Sequence, residues 1–216
     1  MSSPYSTGGG GTQLETRVAA SCLVAALCEA PVRGLPGDFA TAAQSQRAAF
    51  DHPLDDIIVK GIRADGREVR LDLQVTDKLI FTANDAKWVD VLQRSWDTFV
   101  KPGFDVALHR IGVGIGVYNA RVDQHYQSVL TWAGYSTNGR DFRERIEKRD
   151  FSHKDRQAFV ETVRTVLKSC GDTRFPVSSC SFTIRSTASM LSRSRFFCRS
   201  ASGVIDSRGT ANAATR

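Results

Sequence analysis

The chain has 216 residues, is 41% hydrophobic and carries a formal net charge of +6. This length suits one domain of ordinary size with additional segments, and no apolar run reaches the roughly 18 residues that can span a bilayer. The N-terminus lacks a basic segment followed by an apolar core, so we expect a cytoplasmic protein with neither a signal peptide nor a membrane partner.

The first predicted element is a helix from Gln13 to Glu29, which follows a Ser- and Gly-rich segment, residues 1–11, that we expect to be flexible. Apolar and small residues recur along it at helical spacing. Thr12, with Glu15 three positions later, has the pattern of an N-terminal capping box. Glu15 therefore has two interpretations, as a capping partner or as an acidic residue that reaches a metal site.

A β-hairpin is predicted after a Pro- and Gly-rich loop, residues 30–53, that includes a short strand or helical turn around residues 39–49. Its strands are Ile57–Lys60 and Glu68–Lys78. The Asp65-Gly66 dipeptide between them favours a tight turn. Side-chain alternation puts four aliphatic residues of the second strand on one face and its polar residues on the other.

Helices and one further strand follow the hairpin. A helix capped by Asn84 or Asp85 is predicted to end near Val100, and Ala107–Tyr118 is predicted as an apolar strand interrupted by glycines. The Gly-x-Gly-x-Gly spacing of that strand does not fit a dinucleotide-binding loop, and close packing explains it better. The remaining predicted helices span residues 123–135, 141–146 and 153–169.

The last segment, residues 170–216, differs in composition from the rest of the chain. It carries seven Arg, no Lys and two Asp after Gly171, so +5 of the net charge lies here. We expect it to be disordered, either as a frameshifted or truncated end or as an Arg/Ser-rich nucleic-acid-binding tail. Residues 12–169 are then one α/β (α+β) domain with a small mixed sheet flanked by helices.

The hairpin carries a pattern suited to metal-dependent phosphodiester chemistry. Asp55 and Asp56 open its first strand, and Gln74 and Lys78 lie on the polar face of its second strand. Carboxylate and amide oxygens bind hard cations such as Mg²⁺, which stabilise charge on a phosphate and activate a bound water. A nearby lysine positions that water. The pattern therefore predicts Asp56, Gln74 and Lys78 as catalytic residues.

Three segments resemble the PD-(D/E)xK nuclease superfamily: GGGGTQLE, LDDIIV and LQVTDKLIFTAND, the last followed by a Trp-bearing helix. The likeness is greater to the double-stranded DNA endonuclease domain of bacterial CBASS-type anti-phage effectors. It implies a restriction-endonuclease-like three-layer core and Mg²⁺-dependent cleavage. It assigns metal binding to four residues: Glu15, Asp55, Asp56 and Gln74. The family's lysine falls on Thr76, so Lys78 is expected to substitute for it.

The resemblance also implies partners. Double-stranded DNA is the substrate, and a homodimer would supply the two sites that cutting both strands requires. The sensor or ATPase domain that regulates multidomain members is absent from these 216 residues. The alternative is a catalytically impaired DNA-binding or interaction module, or a truncated remnant of a larger defence protein.

Histidine and cysteine predict no second site. His109, His125 and His153 lie far apart along the chain, and the five cysteines show no metal-ligand spacing.

Overall fold

The computed structural model describes residues 9–35, 37, 39–45, 52–117, 120–148, 152–169 and 182–186. The helices within these ranges are α1 (Gly9–Leu27), α2 (Ala86–Phe99), α3 (Gln127–Tyr135), α4 (Gly139–Glu147) and α5 (Lys154–Ser169), and a π-helical turn, Val122–Tyr126, leads directly into α3. The strands are β1 (Phe39–Ser45), β2 (Ile57–Ile62), β3 (Glu68–Thr76), β4 (His109–Ile115) and β5 (Phe182–Ser186).

The strands form one mixed sheet in the order β1-β2-β3-β4-β5. The first three strands are antiparallel neighbours, whereas β4 runs parallel to β3 and β5 runs parallel to β4. A parallel neighbour requires a crossover connection, and α2 supplies it between β3 and β4. The mixed α/β architecture predicted from the sequence is therefore confirmed.

Helices cover both faces of the sheet. On one face, Val18 and Cys22 of α1 pack with the aliphatic side chains of β3, among them Leu71 and Leu73. On the other face, α2, α3, α4 and α5 pack with β4 around Trp88 in the second apolar cluster. The predicted alternation along β3 places its polar residues toward this second layer. Among the described residues, no helix is long and apolar enough to cross a membrane.

Four local features refine the predictions. The strand alternative around residues 39–49 is confirmed by β1, and Asp85 caps α2 through its side chain. The hairpin turn places Gly66 at φ +80°, as a tight turn requires. The capping box at Thr12 is wrong, because α1 begins at Gly9 and already includes that residue. Helical hydrogen bonds join backbone groups, so the glycine run can extend the helix without side-chain contacts.

The C-terminal segment contributes one element to the sheet. Within this segment, Phe182–Ser186 forms β5 beside β4. Without β5, the backbone N–H and C=O groups along that edge of β4 would lack partners, and a strand of any compatible sequence satisfies them. Residues 1–8, 170–181 and 187–216 lie outside the described part of the chain.

The sequence predicts close packing at the glycines of this segment, and the structure shows it at Gly116, directly after β4. A Cβ atom placed on Gly114 would meet Val75 at 3.5 Å, an ordinary contact. At Gly116 it would come within 3.0 Å of Leu14 in α1 and within 2.7 Å of an Asp77 carboxylate oxygen. Glycine at the end of β4 therefore lets α1 approach the sheet next to the end of β3.

Candidate metal-binding site beside strand β3

The hairpin brings Asp56 against Gln74, although eighteen positions separate them. The β2–β3 register pairs Ile57 with Leu73, which puts the residue before β2 opposite the end of β3. One oxygen of Asp56, Oδ2, accepts a hydrogen bond from Gln74 Nε2 at 2.5 Å and another from the Val75 backbone N–H at 2.6 Å. The structure thus brings together two of the predicted catalytic residues.

Asp56 lies in an acidic environment that disfavours its charged form. Its pKa is raised from 3.8 to about 6, mainly by burial and further by the nearby charges of Glu15 and Asp55. The Val75 N–H and the Arg94 guanidinium act in the opposite direction. The pKa of Glu15 is also raised, by burial and by Asp55. Three of the four predicted metal-binding residues, all carboxylates, therefore interact electrostatically.

Arg94 of α2 is a member of this site that the sequence reasoning missed. Its Nη1 donates to Asp55 Oδ1 at 3.1 Å, and its Nε pairs with Asp90 at 3.0 Å one helical turn away. Arg94 thereby holds Asp55 toward the helix. The only signal in the sequence is its position on the polar side of an amphipathic helix, which many surface arginines share.

The three carboxylates lie near one another without closing on one point. Among the described residues, Glu15, Asp55 and Asp56 do not form a group whose oxygen atoms all lie within 4.8 Å of one another. The Gln74 side chain contributes a further feature, because its carbonyl oxygen is buried and has no hydrogen-bond partner. A cation that draws these oxygens together would satisfy that atom and reduce the repulsion between the carboxylates.

Lys78 lies outside the strand that was expected to present it. β3 ends at Thr76, so strand alternation does not place Lys78 on the face of Gln74. The Lys78 side chain is exposed, and no hydrogen bond or ion pair holds it within the described part of the chain. Two backbone hydrogen bonds extend the pairing of β3 with β4 beyond the strands: Gly116 N–H donates to the Thr76 carbonyl oxygen and Val117 N–H to that of Asp77.

A second buried carboxyl, Asp72, shares the polar face of β3. Its side chain has no exposed surface, and Oδ2 accepts a hydrogen bond from Arg70 Nε at 3.0 Å. Burial raises the pKa of Asp72 to about 6 even though Arg70 and Lys101 lower it. Its second oxygen has no hydrogen-bond partner. The sequence placed Asp72 on this face but gave no reason to expect its complete burial.

The histidine prediction is wrong in one respect, because His125 and His153 are neighbours. Their rings stack in parallel with centroids 4.3 Å apart. Asp155 Oδ2 lies 3.6 Å from His125 Nε2 and 3.7 Å from His153 Nδ1. No spacing rule relates these positions, since packing of the π-helical turn against the start of α5 brings them together.

A groove lies between α4 and α5. It has a volume of about 560 Å³ and is lined by basic and acidic side chains, among them Arg143, Glu147 and Arg164. None of the predicted site residues lines it. Mixed charge of this kind is common on solvated helix faces, and we assign the groove no role.

Comparisons of this chain with protein-family models, curated proteins and solved structures find no match.

Proposed function

We propose that the protein is a Mg²⁺-dependent endonuclease that cuts double-stranded DNA in the bacterial cytoplasm as part of anti-phage defence. The observation that carries the proposal is the contact of Asp56 with Gln74 inside an acidic cluster that also includes Glu15 and Asp55. The defence context and the DNA substrate rest on the resemblance in the hairpin segments. A homodimer, with one site for each strand, belongs to the same proposal.

The donor set fits Mg²⁺. This ion prefers oxygen ligands, usually one or two carboxylates with water completing the shell. Asp56 and Gln74 would be the nearest ligands, and Glu15 and Asp55 would add negative charge around them. The pKa of Asp56 is raised by burial and by repulsion from Glu15 and Asp55, and a bound cation would offset both effects. The unpartnered carbonyl oxygen of Gln74 is a buried acceptor of the kind such an ion uses.

Each residue at the β3 site has a distinct part in this proposal. A bound Mg²⁺ would stabilise charge on the phosphate and lower the pKa of a coordinated water. The Val75 N–H and Gln74 Nε2 both donate to one oxygen of Asp56, and together they fix the direction of that carboxylate. Arg94 restrains Asp55 and limits the net negative charge facing DNA. Lys78 is exposed and can approach a phosphate from the end of β3.

The test is cleavage of supercoiled plasmid DNA by the purified chain. We expect nicked and linear products with Mg²⁺ and none with excess EDTA. Asp56→Asn and Gln74→Ala should each lower the rate by at least about 100-fold, the usual effect of losing an essential group of this kind. Glu161→Gln changes an exposed carboxylate on α5 and serves as the control. Cleavage by both site variants at the wild-type rate would refute the site assignment.

A second candidate is a catalytically impaired DNA-binding module. Two observations favour it: threonine occupies the position of the family's lysine, and β3 ends before Lys78. Such a module would shift duplex DNA in an electrophoretic assay, more weakly as salt rises. It would not cleave DNA at any concentration of Mg²⁺ or Mn²⁺. Binding without cleavage thus selects this candidate, and EDTA-sensitive cleavage excludes it.

A further inference from the structure

A second group of metal-ligating side chains lies away from the β3 site, at the junction of the π-helical turn with α5. It consists of His125, His153 and Asp155, whose ligand atoms all lie within 4.8 Å of one another. Among the described residues, no other set of three or more His, Cys, Asp or Glu side chains has all its ligand atoms within this distance. It shares no residue with the site proposed for Mg²⁺.

The π-helical turn is what presents His125 to this group. The Gln127 backbone N–H donates to the Val122 carbonyl oxygen, five residues back, instead of four as in an α-helix. Widened turns of this kind are rare and occur frequently at functional sites. Val122 and Tyr126 remain buried on either side, and the Tyr126 ring stacks on Phe159 of α5 at 4.4 Å. The position of His125 is therefore set by a well-packed segment.

The distances fit a tetrahedral zinc ion. Zinc binds imidazole nitrogen and carboxylate oxygen at about 2.0–2.2 Å, so two ligands of a tetrahedron lie about 3.4 Å apart. The nitrogen–oxygen distances from the histidines to Asp155 are 3.6 and 3.7 Å, which is close to that separation. Two imidazoles with one carboxylate suit Zn²⁺ better than Mg²⁺, which prefers an all-oxygen shell.

The nitrogen atoms are in a state that permits coordination. His153 Nδ1 accepts a hydrogen bond from the Asp155 backbone N–H at 3.3 Å, so that nitrogen carries a lone pair, and zinc would have to replace this long hydrogen bond. His125 Nδ1 is buried and has no hydrogen-bond partner. The ring proton can reside there while Nε2, which faces Asp155, uses its lone pair for a metal. His153 is about half exposed, so an ion can enter from solvent.

Positive charge around the group opposes a cation but only weakly. Arg121 Nε lies 3.9 Å from Asp155 Oδ2, and the Arg121 side chain is largely exposed. Arg156 stacks over the Trp132 ring at 4.7 Å, and one of its amino groups points to the Gln124 carbonyl oxygen at 3.5 Å. A long, exposed ion pair contributes little free energy, so zinc can replace Arg121 as the partner of Asp155.

We propose that His125, His153 and Asp155 form a Zn²⁺ site that clamps the π-helical turn to the start of α5. The three side chains supply three ligands, and water reaching the exposed side supplies the fourth. The parallel stack of the two rings would open on binding, because the lone pair of an imidazole nitrogen lies in the ring plane and both must point at one ion.

Zinc titration of the full chain, stripped of metal with EDTA and then dialysed, tests this site by calorimetry and by thermal unfolding. We expect one equivalent bound and an unfolding temperature that rises with zinc concentration, because the ion binds the folded state. His153→Ala and Asp155→Asn should each weaken binding by about 100-fold or more, exceeding the effect of losing an outer-shell partner. His109→Ala, which removes a histidine outside the group, is the control.

Two results would overturn the proposal. One is absence of zinc binding by the wild-type chain, and the other is unchanged binding in His153→Ala, Asp155→Asn and His125→Gln, which would point to cysteines. Because His153 is exposed, its variant carries the test even if His125→Gln fails to fold. Nitrogen-detected NMR of the imidazoles should show zinc-dependent shifts at His125 and His153 but not at His109. All these measurements are independent of DNA cleavage and can be repeated in Asp56→Asn.

Discussion

The Asp56 carboxylate accepts the side-chain N–H of Gln74 at 2.5 Å across the β2–β3 pair, and the same oxygen accepts the Val75 backbone N–H. The Gln74 amide donates to Asp56 through its nitrogen, and its own oxygen is buried without a hydrogen-bond partner. Asp56 is also crowded by other carboxylates, which contributes to the rise of its pKa to about 6. The pair therefore combines an oriented carboxylate with an unused acceptor.

Binding of Mg²⁺ should depend on pH through Asp56. In the metal-free protein its pKa is about 6, so protons compete with the cation below that pH. We expect the Mg²⁺ affinity to be nearly constant above pH 7 and to fall by up to about tenfold per unit below pH 6. Isothermal titration calorimetry between pH 5 and 8 measures this affinity.

The matched variants for this titration are Asp56→Asn and Asp72→Asn. The first should bind Mg²⁺ weakly at every pH, whereas the second should keep the wild-type profile, since we give Asp72 no part in binding. A wild-type affinity that stays flat from pH 5 to pH 8 would contradict the role of Asp56.

Stability should also depend on pH through Asp72. Its folded-state pKa of about 6 exceeds the ordinary 3.8, so its contribution to stability is fully present below about pH 4 and is lost as the pH rises through 6. In the Asp72→Asn variant the side chain at this position cannot ionise, so this pH dependence is removed. Relative to wild type, the variant's free energy of unfolding should therefore increase by about 2 kcal/mol from pH 4 to pH 7. Urea denaturation at several pH values measures this difference.

The control for Asp72 is Asp65→Asn in the hairpin turn. Hydrogen bonds from Arg67 hold the pKa of Asp65 below its ordinary value. The pH dependence through Asp65 is opposite to that through Asp72. The Asp65 carboxylate adds stability above its unfolded-state pKa, and this stability is lost as the pH falls. Asp65→Asn should thus lose relative stability as the pH rises. The same trend for both variants would show that burial of Asp72 is not the cause.

Removal of Arg94 should make the acidic cluster a stronger cation site. Arg94→Gln deletes the positive partner of Asp55 and one of the groups that lower the pKa of Asp56. We expect Mg²⁺ to bind about 3–10-fold more tightly at pH 7.5, as the loss of one partly screened charge allows. Arg164→Gln, which breaks an exposed pair with Glu161 on α5, should leave the affinity unchanged. Equal or weaker binding in Arg94→Gln would exclude this electrostatic role.

The role of Lys78 can be tested by moving the lysine. Lys78→Ala should lower DNA cleavage by about 100-fold if its ammonium group stabilises the reacting phosphate. Adding Thr76→Lys to that variant should recover much of the rate, because residue 76 ends β3 two positions after Gln74. Lys87→Ala removes an exposed lysine from the first turn of α2 and is the control. Wild-type cleavage by Lys78→Ala would show that Lys78 has no part.

Local sequence patterns predicted most of the secondary structure. The Asp65-Gly66 turn, the alternation along β3 and the amphipathic α2 depend on neighbours within a few positions, and all three are present. The approach of Asp56 to Gln74 also followed from the sequence, because a tight hairpin fixes which residues face each other. The position of Lys78 outside β3 did not follow from the sequence, because the end of β3 depends on how far its pairing with β4 continues.

The remaining relationships were decided by tertiary structure. Arg94 of α2 meets Asp55, which lies 39 positions earlier in the chain, just before β2. His125 and His153 meet because a π-helical turn redirects one helix against the start of another. The complete burial of Asp72 likewise depends on residues outside its own strand. The sequence by itself determined the elements and the hairpin, through short-range periodicity and turn chemistry. The charge environment and the histidine group depend on helix packing, which no local pattern encodes.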